Sequence, residues 1–106
     1  MGDDGQAMFH AQVLTNLLDY EMEIQEAIER PRFVCGALNP GDASETVRIE
    51  NRVPAQVRGA LARRGHRVLA VSDWFNRMGH GQGITFHDGT MRGGADPRAD
   101  GAALGF

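Results

Sequence analysis

An α+β fold, with two or three helices laid over one face of a mainly antiparallel sheet, is what this sequence predicts. Three features predict it. Two short amphipathic segments open the chain, a well-punctuated helix sits in the middle, and Asp88-Gly89 between Ile84-Thr85-Phe86 and Met91 is a tight-hairpin signal near the end. With 106 residues and 42% hydrophobic content the chain supports one core, so residues 1–106 are read as a single domain.

The first helix is expected over residues 7 to 18. Ala7, Ala11, Leu14 and Leu18 recur at spacings of four, three and four, with Met8 and Leu17 beside them, and form one apolar face. Glu23 to Arg30 repeats the pattern with Ile24, Ala27 and Ile28, and Pro31 ends it by pushing Arg30 out of the helical region. Arg32 to Cys35 reads as a strand and Gly36 to Glu45, rich in Gly, Asn, Pro, Asp and Ser, as a loop. Val47-Arg48-Ile49-Glu50 alternates apolar with charged residues, the pattern of a half-buried strand.

The third helix opens at Val53-Pro54, with proline in the first helical position and Val57, Ala60 and Leu61 on the inner face. Arg63 and Arg64 complement the negative end of its dipole, and Gly65 supplies a left-handed cap. His66 to Val71 and Gly83 to His87 read as strands, and the tail from Gly93 onward as an irregular strap.

Charge narrows the possible partners. All 11 basic residues are arginines spread along the chain, against 14 acidic residues, for a net charge of -3. A nucleic-acid footprint needs a basic stripe, and this sequence has none. No apolar run approaches the roughly 20 residues of a membrane span. The acidic, glycine-rich start Met1-Gly2-Asp3-Asp4-Gly5 is the reverse of a secretory signal. Localisation stays open between cytoplasmic and periplasmic or secreted.

Residue chemistry alone does not define an enzyme. His10, His66, His80 and His87 fall in different elements without metal-ligand spacing, so neither a metal nor a cofactor is expected. Ser72, His66 and Asp73 can be assembled into a triad on paper, but adjacent residues of an extended chain point to opposite sides. Cys35 reads as a small hydrophobe. Gly79-His80-Gly81-Gln82-Gly83 lacks the lysine of a phosphate loop and reads as a bend entering a strand.

The order of longer motifs says more. Gly2-Asp3-Asp4-Gly5-Gln6 is followed by Gln12-Val13-Leu14, then Asn16-Leu17-Leu18-Asp19-Tyr20, then Glu26-Ala27-Ile28-Glu29 and Pro31-Arg32-Phe33. Val47-Arg48-Ile49-Glu50, Ala62-Arg63-Arg64-Gly65-His66, Gly81-Gln82-Gly83-Ile84 and Gly93-Gly94-Ala95-Asp96-Pro97-Arg98 continue the series. In this order and spacing the chain resembles the C-terminal part of the small subunit of gamma-glutamyltransferases, over nearly its whole length.

That resemblance implies part of a four-layer αββα sandwich of the N-terminal-nucleophile hydrolases. It implies a threonine nucleophile upstream of this chain, freed when a precursor cuts itself, with its α-amine as base. It also implies cleavage of gamma-glutamyl amides such as glutathione, with transfer of the acyl group to water or an amino acceptor. The family's oxyanion hole, a pair of glycines before the first helix, maps to Gly2 and Asp3, so only the first glycine matches. Asp96, Pro97 and Arg98 are the family's structural motif, with Asp96 and Arg98 expected to be ion-paired.

Two departures accompany Asp3. Glu21 stands where a glycine usually closes the first helix, which asks for a different cap or a bent continuous helix, and Gly83 replaces a small side chain in a strand. The expected partner is the N-terminal remainder of the parent enzyme or a second copy of the chain. The alternative is a non-catalytic interaction or dimerisation module that keeps the fold without the chemistry. Either leaves an apolar face or strand edge uncovered in the chain alone.

Overall fold

The computed structural model describes residues 3–105. A short 3-10 turn, Asp3–Gly5, leads into α1 (Gln6–Leu18). Then come α2 (Ile24–Glu29), β1 (Phe33–Cys35), β2 (Thr46–Glu50), α3 (Ala55–Arg63), β3 (Arg67–Val71), a second 3-10 turn (Asn76–Met78), β4 (Gln82–His87) and β5 (Thr90–Ala95). The strands form two sheets among the described residues, one of order β1-β2-β3 and the other the β4-β5 hairpin.

Two of the three pairings are antiparallel, as the sequence implies. Val34 lies opposite Arg48 in β1-β2, and Gly83 opposite Gly94 in β4-β5. The third, β2 with β3, is parallel, because α3 carries the chain back across to the same end. Its cap follows from glycine: Gly65 sits at φ +95°, the Gly65 N–H donates to Ala62 and the His66 N–H to Leu61, the paired bonds of a Schellman motif. Pro54 is extended, φ -51° and ψ 138°, so it caps α3 from outside and does not form its first turn. In the hairpin, Asp88 and Gly89 both take positive φ, +48° and +75°, the geometry that matches strand twist in a two-residue turn.

Beside that of Pro54, three further expectations are corrected. The stripe Ala7, Ala11, Leu14, Leu18 faces solvent, with Leu14 51% and Leu18 73% exposed. The inward side of α1 is instead Phe9 and Val13 with two amides. The Gln12 side chain donates to the Phe33 carbonyl and accepts from the Phe33 N–H, taking the place of a neighbouring strand, while Asn16 donates to the Ala27 carbonyl. Secondly, β2 is buried on both faces, because its charged residues are paired, Arg48 with Asp42 and the Gly36 carbonyl and Glu50 with the buried Arg98. Thirdly, the segment from Gly93 is strand as far as Ala95, its backbone tied to α2 by a two-way amide bridge from Gln25.

Glu21 answers its own departure differently from either expectation. It takes the left-handed conformation itself, φ +52°, where the family's glycine would. Gly83 and Gly94 form a cross-strand pair beneath α2. A methyl group at Gly83 would come 2.8 Å from Ile24 Cδ1, and one at Gly94 3.0 Å from Ile28 Cδ1 and 3.2 Å from the Gln25 nitrogen. The helix therefore seats on bare backbone, and Ile24 and Ile28 are buried there.

The apolar core is small. Phe9, Val34 and Met78 form its centre, with Met8, Leu38, Val71 and Phe75 against it. The radius of gyration is 15.0 Å, against about 13 Å for a compact domain of this length. The hairpin's outer face leaves Ile84, Phe86 and Met91 exposed.

Candidate functional site

The strongest chemistry among the described residues is a buried ion cluster where β2, the start of β1 and the chain after β5 meet. Arg98 grips Glu50 with two parallel bonds of 2.6 Å, Nε to one oxygen and Nη2 to the other. Its Nη1 reaches Asp96 Oδ1 at 2.9 Å, and Arg32 Nη2 reaches Asp96 Oδ2 at 2.8 Å. All four side chains are buried. Two cations and two carboxylates balance one another, the condition under which charges persist away from water.

Backbone groups complete the cluster and tie distant segments together. Glu50 accepts the Arg32 and Phe75 N–H groups, and Asp96 accepts those of Gly81 and Arg98. Arg32 donates to the carbonyls of Met78, Gly79 and Ile28, and Arg98 to those of Ile28 and Arg30. At the solvent edge, Arg52 donates to Glu50 and lies over the Trp74 ring, 3.5 Å from its centroid.

The electrostatics follow from these contacts. Burial would raise the Asp96 pKa, but the Gly81 and Arg98 N–H groups together with the Arg32 and Arg98 charges outweigh it and hold it below its ordinary value. Burial pulls Arg98 downward, yet the bonds and charge of Glu50, with Asp96, leave it raised. Arg32 is lowered, chiefly by burial and then by Arg98, with Asp96 offsetting only part of both. The Asp96 carboxyl thus stays ionised near neutral pH, and the cluster has the character of a clasp.

The other candidates scatter. Of the oxyanion position, Gly2 lies outside the described residues and Asp3 opens the 3-10 turn before α1. Pro97, between Asp96 and Arg98, is exposed. His10, His66 and His87 are exposed on different elements, Ser72 and Asp73 are exposed after β3, and Cys35 is an exposed free thiol. Among the described residues no group of three or more His, Cys, Asp and Glu could hold a metal ion. No helix is long and apolar enough to cross a membrane. A mainly apolar cleft of about 480 Å³ runs between α1 and the Arg30–Phe33 segment, with Arg30 as the only ionisable residue in its lining.

Glu50 and Arg32, the partners of the Asp96-Pro97-Arg98 motif, carry half the cluster and had no assigned role in the sequence. Their signal was indirect: each lies inside a motif of the family series, Val47-Arg48-Ile49-Glu50 and Pro31-Arg32-Phe33.

The fold is that of the N-terminal-nucleophile hydrolases, and comparison with known proteins narrows it. The gamma-glutamyltranspeptidase family profile matches residues 1–106, and the chain belongs to that family. The glutathione hydrolase-like YwrD proenzyme of Bacillus subtilis is 39% identical over 99% of this chain and 20% of its own length. The oxamate amidohydrolase proenzyme of Klebsiella pneumoniae is 35% identical over 100% of this chain, again 20% of its own. The cephalosporin acylase of Bacillus halodurans superposes with a TM-score of 0.73 at 33% identity, covering 89% of this chain and 17% of that one. The chain thus spans about a fifth of the curated relatives it matches.

Proposed function

We propose that this chain is the C-terminal portion of an amide-cleaving enzyme, with a threonine nucleophile upstream of Met1. It carries the turn whose backbone N–H groups at residues 2 and 3 receive the developing oxyanion. The threonine hydroxyl attacks the amide carbonyl and gives its proton to the α-amine; the tetrahedral intermediate breaks its C–N bond, the amine leaves with that proton, and the acyl group left on the threonine passes to water or an amino acceptor. The observation that supports it most is the continuity of the family match from the oxyanion position through Asp96-Pro97-Arg98, with the second of these folded as a buried clasp.

The preferred acyl donor is a gamma-glutamyl amide of the glutathione type. Relatives named for glutathione, oxamate and cephalosporin differ in acyl group, which fits a chain that supplies the shared carbonyl-stabilising turn and leaves donor recognition to the upstream part. Asp96 and Arg98 serve this function structurally, by holding residues 28–32, 50 and 78–81 against one another.

A second reading, a non-catalytic interaction module, is favoured by Asp3 in place of the second glycine and by the exposed Leu14, Leu18 and Phe86. The reading frame upstream of the Met1 codon separates the two. An open frame with a threonine at a self-cleavage site, and amide cleavage only when that part is joined to this chain, supports the enzyme. A stop codon nearby and an inactive oligomer support the module.

A further inference from the structure

We propose that Gly5 is a positioning residue for the oxyanion turn, required because no side chain fits there and not because of its backbone conformation. Gly5 caps α1 at φ -84° and ψ -4°, angles any residue adopts. The constraint is space. A β-carbon at Gly5 would stand 2.7 Å from Cε2 and 2.9 Å from Cζ of Phe9, and 3.3 Å from Cγ2 of Val34. Phe9 is 4% exposed and Val34 2%, and Met78 stands with them at the centre of the core. Val34 and Met78 pack with the ring in the core, and the space beside it is a small cavity of about 40 Å³ between α1 and the Gly79–Gly81 segment.

A side chain at position 5 must therefore shift either the buried ring or the Asp3–Gly5 turn, and the turn, exposed at Asp4 with Gln6 beyond it, is the less confined of the two. Gly5 stacks that turn directly on the Phe9 ring, and the support continues downward. Met78, in the same core cluster, has its carbonyl held by Arg32 of the ion cluster. Clasp and turn are thus joined through one core: Arg98, Asp96 and Arg32 are bonded in series, Arg32 holds Met78, and Met78 belongs to the cluster of Phe9, on which Gly5 sits. The consequence for catalysis rests on the reading that residues 2 and 3 supply the oxyanion N–H groups. A donor that moves with the turn no longer meets the carbonyl oxygen of the amide as it becomes negative.

The test uses the protein with its upstream part, as wild type, Gly5→Ala, and Gly5→Ala combined with Phe9→Leu, which removes the ring atoms in the way. Amide hydrogen exchange needs no substrate: Gly5→Ala should raise exchange at residues 3–6 by about tenfold while β2 stays protected, and the double variant should restore it. With amide substrate, Gly5→Ala should lower kcat by about 10- to 100-fold, and the double variant should recover most of it. KM should change by less than about threefold, since the donors act on the transition state. Unchanged exchange overturns the packing argument whatever the activity. Raised exchange with unchanged kcat overturns the link to catalysis and with it the oxyanion reading. Failure of the double variant to recover either quantity overturns the role given to the Phe9 ring.

Discussion

Arg98 and Glu50, 48 residues apart in sequence, meet through two parallel hydrogen bonds of 2.6 Å inside the fold. The planar fork of the guanidinium matches the carboxylate, and neither side chain reaches solvent. The pair fastens the end of the described chain to the middle of its three-stranded sheet.

Glu50→Gln should destabilise the protein by about 3–5 kcal/mol, because Arg98 is then left buried beside a neutral group. Urea unfolding of the variant beside wild type measures it. A loss below about 1 kcal/mol would mean that solvent reaches the pair.

Acid should loosen the clasp through Asp96. Its carboxyl is held below the ordinary value in the folded state, so its stabilisation is complete above the unfolded value near pH 4 and is lost as pH falls through the lowered folded value. Stability should fall in that acid window, and Asp96→Asn, less stable at neutral pH, should show a shallower fall. Part of the slope should remain, because Asp42 is also lowered, first by the Asn39 N–H. Thermal melts from pH 6 to pH 2 supply the comparison.

Glu21→Gly should stabilise the chain by about 0.5–1 kcal/mol. The left-handed conformation costs a non-glycine residue about 1–2 kcal/mol, offset partly by the greater freedom of glycine when unfolded. A lower melting temperature would show that Glu21 makes a compensating contact.

Gly94→Ala should cost about 1–3 kcal/mol by overpacking the seat of α2, where Ile28 and the Gln25 backbone both stand in the way. Gly83→Ala should cost less, since the atoms it meets are the flexible end of Ile24. Equal losses from both would indicate that β5 gives way as readily as a side chain.

The sequence was most legible where a local rule decides. The Asp88-Gly89 turn, the Gly65 cap and the Pro31 stop are each set by the backbone preferences of one or two residues, and each lies where expected. It was least legible where long-range partners override periodicity. The outward stripe of α1 resembles an inner face, and what turns the helix is Phe9 with the Gln12 and Asn16 amides, whose backbone partners lie 21 and 11 residues away. β2 read as half-buried because its charges imply water, whereas Asp42 and the Gly36 carbonyl hold Arg48, and Arg98 holds Glu50. For the site, the Asp96-Pro97-Arg98 motif was visible, but Glu50 and Arg32 become its partners only when three distant segments fold together.

The proposal on which the rest depends is that backbone N–H groups at positions 2 and 3 stabilise the oxyanion of an amide-cleaving enzyme. Its most direct test is the rate at which the protein with its upstream part cleaves a gamma-glutamyl anilide, measured for wild type and for Asp3→Gly. Restoring the second glycine should raise kcat by about tenfold or more, with a smaller change in KM, since one oxyanion donor is worth about 100- to 1,000-fold and Asp3 retains its N–H. An Asp3→Gly variant no faster than wild type, or no cleavage by either protein, would contradict it.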